Sequence, residues 1–376
     1  MEEMLESNEM IVHLGPQHPM QPGPFRLNLK LKGGETIMDA EVEMGYIHKG
    51  IEKILENRTY LQGITIVDRI CYLVALTNEE CYVGCVEKLL DIEPPPERAQ
   101  YIRVILEELS RLQSHLLGLG EYGGEFIGFV SMFMYTIKER EDILTLIDMV
   151  TGGARVTHSY LRFGGGVRDD LPEGFKEKTI PVLNKLKKVI RDYEEMFYSD
   201  TIYRERTIGI GVLTADEAKS LGVSGPVLRA TGVPFDIRKN EPYLVYRDLD
   251  FKVCTETAGD CFARVQVRLN EMRESIYIIE QCLDMIPNGP IFPEGTPPYG
   301  KRTPVMRVPA GEVFYRVEDP RGEMGMYMIS DGSDRPYRVK VRGPYYPTLQ
   351  ALPPSYHRHN GCRHGINFGE HGRLYQ

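Results

Sequence analysis

The sequence lacks any excess of positive charge: 54 acidic residues against 45 basic ones leave a formal net charge of −9. Phosphate backbones are bound by clustered basic side chains, so this balance argues against a nucleic-acid partner. It also lacks a C-x-x-C pair. Its seven cysteines, at positions 71, 81, 85, 254, 261, 282 and 362, are odd in number. That fits reduced thiols rather than a disulfide framework, and argues against an iron–sulfur cluster carried by this chain alone. No apolar run approaches the ~20 residues that a bilayer-spanning helix needs. The best, Ile127 to Tyr135, falls far short. The opening MEEMLESNEM is acidic and has no apolar core, so no signal peptide is expected. Any membrane attachment is therefore expected through partner subunits. No internal repeat is visible.

What is present is an ordinary globular composition, 42% apolar and 26% charged over 376 residues, suited to one large domain with subdomains. Near the start, Leu27, Leu29 and Leu31 alternate with polar residues, Gly33-Gly34 offers a turn, and Ala40, Val42 and Met44 alternate again. Period two around a glycine turn predicts a hairpin. The middle repeats every three or four residues, in Ile102–Leu116, Leu183–Phe197 and Val265–Leu283. Each stripe buries one helical face and together they predict a bundle. Thr214-x-x-Glu217 is a capping box, with Gly222 placed to end the short helix. After a Pro/Gly-rich connector, Pro287 to Pro309, short β-like runs return at 313–317, 324–330 and 337–341. Between them stand turn candidates at Pro320-Arg321-Gly322 and Asp331-Gly332. The expected class is α+β: an N-terminal β-hairpin region (1–47), a central helical bundle (48–290) with a small inserted β/loop region (about 200–262), a C-terminal β-rich region (291–354) and an atypical tail (355–376).

Several strings are too specific for chance: His13-Leu14-Gly15-Pro16-Gln17-His18-Pro19; Gly45-Tyr46-Ile47-His48-Lys49-Gly50-Ile51-Glu52-Lys53; Asp68-Arg69 with Asn78-Glu79; Glu271-Met272-Arg273-Glu274-Ser275; Pro320-Arg321-Gly322-Glu323; and Ser330-Asp331-Gly332-Ser333-Asp334-Arg335-Pro336. Together they resemble the family of the quinone-reactive 49-kDa (D-type) subunit of complex I, from about His13 to Leu352. Within that family, His18-Pro19-Met20-Gln21-Pro22-Gly23 and Arg69-Ile70-Cys71-Tyr72 look most like the branch found in archaeal complexes that oxidise reduced coenzyme F-420 and reduce methanophenazine.

The resemblance implies a hydrogenase large-subunit-like fold and common ancestry with nickel–iron hydrogenases, whose metals sit on four thiolates. Here Arg69-Ile70-Cys71 survives, but Tyr72 stands where glycine would be and Val74 where the second front cysteine would be. Valine cannot ligate, so no metal is expected on this chain and hydrogen chemistry is disfavoured. In the family the emptied cavity receives a quinone, whose head group meets a tyrosine and a histidine. The tyrosine matches Tyr72. A phenol can donate to a quinone oxygen or a phenazine nitrogen, and the bond strengthens as reduction makes that atom more basic. The histidine position is occupied by Pro22, which has no donor. Either the acceptor is not a quinone, or His18 or Gln21 takes over; Met20 and Pro22 make the loop apolar, as a lipid-soluble aromatic acceptor would want. Cys71 reads either as part of the acceptor site or as a small buried apolar residue.

Other residues are implied more weakly. Glu125 lies near an aspartate proposed to relay the redox event to the membrane arm. His158 and Lys49 lie near positions close to the terminal iron–sulfur cluster, which the resemblance puts on a small, B-like partner subunit; Thr157 occupies the matching register, and lysine loses arginine's planar fork. His115, on a helical stripe, reads as structural. A C-like partner and membrane-arm subunits complete the implied assembly, at the cytoplasmic face of the membrane. The alternatives are a scaffold without its own ligand and an active hydrogenase.

Two irregularities stand out. Gly152-Gly153, Gly164-Gly165-Gly166 and Pro297-Pro298 look doubled. They are loop insertions or sequence errors; one extra residue in a helix would rotate everything beyond it by about 100°, so genuine insertions belong in loops. The tail from Ser355 gathers His357, His359, Cys362 and His364, which invites a metal-binding reading. A different reading is preferred. With permitted codons, a one-base shift from Pro354 onward gives small and apolar residues followed by Gly-Ser-Met-Asp-Gly-Cys, the kind of tail the family carries. Residues 355–376 are accordingly expected to be the product of a frame shift, biological or in sequencing. The intact mass of the native subunit should match the shifted tail; a mass matching residues 355–376 as they stand would refute it.

Overall fold

The structure is a computed structural model. It describes residues 9–17, 24–32, 36–92, 96–124, 130–152, 155–156, 159–164, 166–292 and 306–351, except the side chains of 36, 122–124 and 130. The chain opens with an antiparallel sheet in the order β1 (Glu9–Leu14), β2 (Arg26–Lys32), β3 (Thr36–Glu43). Its register sets Leu14 against Leu27, Leu27 against Val42 and Leu29 against Ala40. Phe25, Leu27, Leu29, Ile37 and Ala40 are its buried face. The predicted hairpin is β2–β3; β1 adds a strand that the alternation did not announce.

The helices follow: α1 (Ile51–Glu56), α2 (Tyr60–Val67), α3 (Ala75–Leu89), α4 (Glu97–Gly124) and α5 (Val130–Thr151). A two-residue pair, β4 (Leu161–Arg162) and β5 (Gly166–Val167), precedes α6 (Phe175–Ser199). α4, α6 and α11 (Cys261–Met285) carry the three predicted stripes, and α11 packs on both α4 and α6. Every residue of α3 from Ala75 to Val86 is buried. A helix enclosed on all sides has no polar face, so it leaves no period in the sequence.

The expected β content between about 200 and 262 is corrected by the structure. That segment holds four short helices, α7 (Thr201–Thr207), α8 (Ala215–Ser220), α9 (Gly225–Arg229) and α10 (Ile237–Asn240), and no strand. Asp200, Thr214 and Asp236 each cap a helix start with a side-chain oxygen, Thr214 in the predicted capping box. Local caps, rather than alternation, start three of these four helices.

The C-terminal sheet runs β6 (Gly311–Asp319), β7 (Gly322–Ser330), β8 (Arg338–Arg342), all antiparallel, and α12 (Tyr345–Gln350) follows it. It lies on α3: the Cys85 thiol donates to the Met326 carbonyl at 3.2 Å, and a Cβ on Gly84 would collide with the Tyr315 ring. Two of the doubled glycines fall at element ends. Gly152 (φ +72°) follows α5, and Gly164 (φ +85°) turns between β4 and β5. Among the described residues no single helix is long and apolar enough to cross a membrane.

Candidate functional site

α2 ends at Asp68, and Cys71 is extended (φ −146°, ψ 115°), so the helix cannot continue into it. Tyr72–Val74 then form one 3-10 turn before α3 begins. Its carbonyls are held from two helices. Asn78 Nδ2 donates to the Cys71 carbonyl at 3.2 Å and Gln113 Nε2 to the Leu73 carbonyl at 2.9 Å. Gln113 in turn accepts from Arg140 on α5 at 3.2 Å, and Arg140 lies within electrostatic reach of the Tyr72 phenol. Cys71, Leu73 and Val74 are buried together with Leu117 and Tyr345, while Tyr72 is 38% exposed. The turn is anchored by its neighbours and presents the tyrosine.

The same turn touches the far end of the chain. Arg321, at the tip of the β6–β7 hairpin and itself buried, donates from Nη1 to the Cys71 sulfur at 3.3 Å. Its guanidinium also lies 5.8 Å from the centroid of the Tyr345 ring. The Arg321 backbone N–H donates to Asp319 Oδ1 at 2.8 Å, which fixes the hairpin tip. Burial pushes the Asp319 carboxyl above the usual range, against the pull of Arg321. The turn expected at Pro320-Arg321-Gly322 is present. An arginine at a hairpin tip is ordinarily solvated, so nothing local announced that this one reaches a residue 250 positions away.

Behind the turn, two carboxylates of the signature strings act as anchors. Asp68 Oδ2 accepts from the Ser159 N–H at 3.2 Å and its hydroxyl at 3.1 Å. Glu79 Oε2 accepts from the N–H groups of Tyr160 and Leu161 at 2.7 and 2.9 Å, and burial raises its pKa to about 8. They tie the segment after 158 to the helices that carry Tyr72. His115 is buried and its Nε2 donates to Glu271 at 2.8 Å; burial keeps it neutral, with a pKa of about 4. It is a structural residue.

The remaining predicted residues lie away from this turn in the sequence. His18, Met20, Gln21 and Pro22 lie outside the described residues, between β1 and β2 in the sequence; so do Glu125, between α4 and α5, and His158 with Thr157. Lys49 is described and exposed, in the loop leading to α1. Among the described contacts nothing joins it to Tyr72. The tail from Ser355 is also outside. Cys71 and Val74 are both buried, and valine offers no lone pair where a second thiolate would be needed. Cys81 and Cys85 donate S–H to backbone carbonyls of the C-terminal sheet, and burial raises both thiols, Cys85 to about 12. They are protonated clamps, not thiolate ligands. A surface cleft of about 590 Å³, lined by Glu87, Lys88, Glu241, Tyr243, Tyr315 and Arg316 among others, contains none of the predicted site residues.

An exposed tyrosine beside a lone buried cysteine, on a turn held between a helix bundle and a C-terminal sheet, is the arrangement expected of a complex I-type core subunit. Sequence comparison agrees: the family described as "Respiratory-chain NADH dehydrogenase, 49 Kd subunit" matches residues 127–360, more than half of the chain. The chain belongs to that family and is a core subunit of a complex I-like, multisubunit oxidoreductase. Among its relatives, the D subunit of the F(420)H(2) dehydrogenase of Methanosarcina mazei is 98% identical over 354 residues, covering 94% of this chain and 93% of the relative. The NADH-quinone oxidoreductase D subunits of Desulforamulus reducens and Dehalococcoides mccartyi are each 44% identical over 348 residues, 93% of this chain and 92% of theirs. The part of this chain left out of the first alignment is as long as the 355–376 tail.

Proposed function

We propose that this chain, with a small iron–sulfur subunit, forms the site where a lipophilic aromatic acceptor, methanophenazine or a quinone, is reduced at the cytoplasmic face of the membrane. The electrons come from reduced coenzyme F-420, as the name of the 98% identical relative suggests. A C-like partner and membrane-arm subunits complete the machine and couple reduction to proton translocation. An iron–sulfur cluster on that partner would supply the electrons; the residues of this chain bind the acceptor and handle protons. One observation carries the reading: Tyr72 is presented on a turn whose neighbouring carbonyls are tied down by Asn78 and Gln113, so its backbone is held in place while its side chain stays partly exposed. Its phenol donates to the acceptor heteroatom, and the bond strengthens as negative charge builds there. Arg140 supports it by favouring the charged form of a phenol that has given up its proton.

Tyr72→Phe removes the donor and keeps the ring. The assembled complex is expected to lose roughly 100-fold in acceptor-reduction kcat, within the usual range for a positioned proton donor, with its partners still co-purifying. Full activity in that variant would favour the scaffold reading instead.

A further inference from the structure

Two-electron reduction of a quinone or phenazine takes up two protons, and Tyr72 supplies one. The loop position where the family carries a histidine holds Pro22, which has none to give. The structure offers another group. Asp319 is fully buried at the base of the β6–β7 hairpin tip. Its Oδ1 accepts from the Arg321 N–H, while its Oδ2 has no hydrogen-bond partner among the described residues. A buried polar atom left unmatched is costly, and is best explained by a proton or a ligand not drawn from the chain itself. One side chain away, Arg321 holds the Cys71 sulfur, and Tyr72 is the next residue.

We propose that Asp319 is the second proton donor of the acceptor site, giving its carboxyl proton to the acceptor bound beside Cys71 and Tyr72. The inference rests on the reading of Tyr72 given above. Two electrons arrive from the partner's iron–sulfur cluster, the O–H bonds of Tyr72 and Asp319 break, and two new bonds form at the acceptor's heteroatoms. Both residues regain protons from water when the reduced acceptor leaves. The surroundings suit a group that alternates between neutral and charged forms. Burial raises the carboxyl above the usual carboxylate range, which favours its protonated form before reaction, against the pull of Arg321 and Arg111. Facing it are Arg321 on its own turn, Arg111 from α4, Tyr345 from α12, Cys81 from α3 and, next in the chain, Glu318. The two guanidiniums do not titrate, so they can stabilise the carboxylate after transfer without competing for the proton.

The test uses the assembled complex, reduced F-420 as donor and a soluble phenazine as acceptor. Asp319→Asn matches the protonated acid in shape. It is expected to lower kcat about 100-fold with little change in acceptor KM. It should also abolish the loss of rate that the unmodified complex shows as pH rises through the carboxyl pKa, and alter the solvent deuterium isotope effect. Wild-type kcat and pH profile in Asp319→Asn, with Tyr72→Phe impaired, would overturn this inference and leave the function standing. A fully active Tyr72→Phe would instead remove the function on which it rests. Should Asp319→Asn fail to assemble, Asp319→Glu decides: a displaced alkaline limb supports the assignment and an unmoved one refutes it.

Discussion

Arg229→Ala is expected to destabilise the protein by about 3–5 kcal/mol, the usual cost of removing one partner from a buried ion pair. Arg229 is fully buried and its guanidinium bridges three elements. Nε donates to Glu271 on α11 at 2.8 Å, and Nη1 to Glu318 on β6 at 2.7 Å and to the Phe235 carbonyl at 2.9 Å. Burial alone would push the Glu271 carboxyl up, but Arg229 overrides it and holds it at about 2. A carboxyl depressed in the folded state contributes stability above its unfolded pKa and loses it as pH falls toward the folded value. The variant should therefore show a lower thermal inactivation midpoint at neutral pH and a weaker acid limb between about pH 4.5 and pH 2 than the unmodified protein. Arg229→Met combined with Glu271→Gln should cost less than the two single changes summed, because the Glu271 charge is then no longer left without its arginine, while Glu318 loses its partner in both the single and the double arginine variants. Additive effects, or an acid limb unchanged in Arg229→Ala, would show that the bridge is not what holds α9, α11 and β6 together.

Gly225→Ala should cost about 3 kcal/mol or more and also disturb the proposed acceptor site. Gly225 has φ +69°, which alone penalises a Cβ by about 1–2 kcal/mol. The added methyl would also land on the hairpin tip, 2.5 Å from the Gly322 Cα and against the Arg321 carbonyl. The hairpin offers no slack: Gly322 has φ +134° and packs back onto Ser224, whose hydroxyl accepts from the Glu323 N–H at 2.9 Å. The clash must move Arg321, and with it the contact to Cys71. Acceptor reduction per assembled complex is expected to fall along with the thermal midpoint. Gly222→Ala is the control. It has the same backbone requirement, φ +70°, but nothing within 4 Å of the new Cβ. If both variants behave alike, the effect is conformational and the hairpin contact plays no part.

What could be read in advance divides along a physical line. The C-terminal strands were legible as short β-like runs bounded by turn residues, Pro320-Arg321-Gly322 and Asp331-Gly332. α4, α6 and α11 were legible as amphipathic stripes, and α8 by its capping box. α3 was hidden because it is buried on every side, and α7 and α10 because a single cap, not a period, starts each. Tyr72, Cys71 and Val74 could be picked out by resemblance.

Covalent order alone determined which chemistry is possible here. With valine at 74 there is no second front thiolate, with tyrosine at 72 there is a phenol donor, and with proline at 22 a donor is gone; no packing can restore or remove those groups. Only the tertiary structure decided which groups meet. Arg321 reaches Cys71 because the C-terminal sheet folds back over α3, with Asp319 holding the Arg321 backbone, and Arg229 joins helices and strand far apart in sequence. Those contacts depend on distances that a linear pattern does not encode. They appear only once burial has removed water and left each charge to find its partner inside the protein.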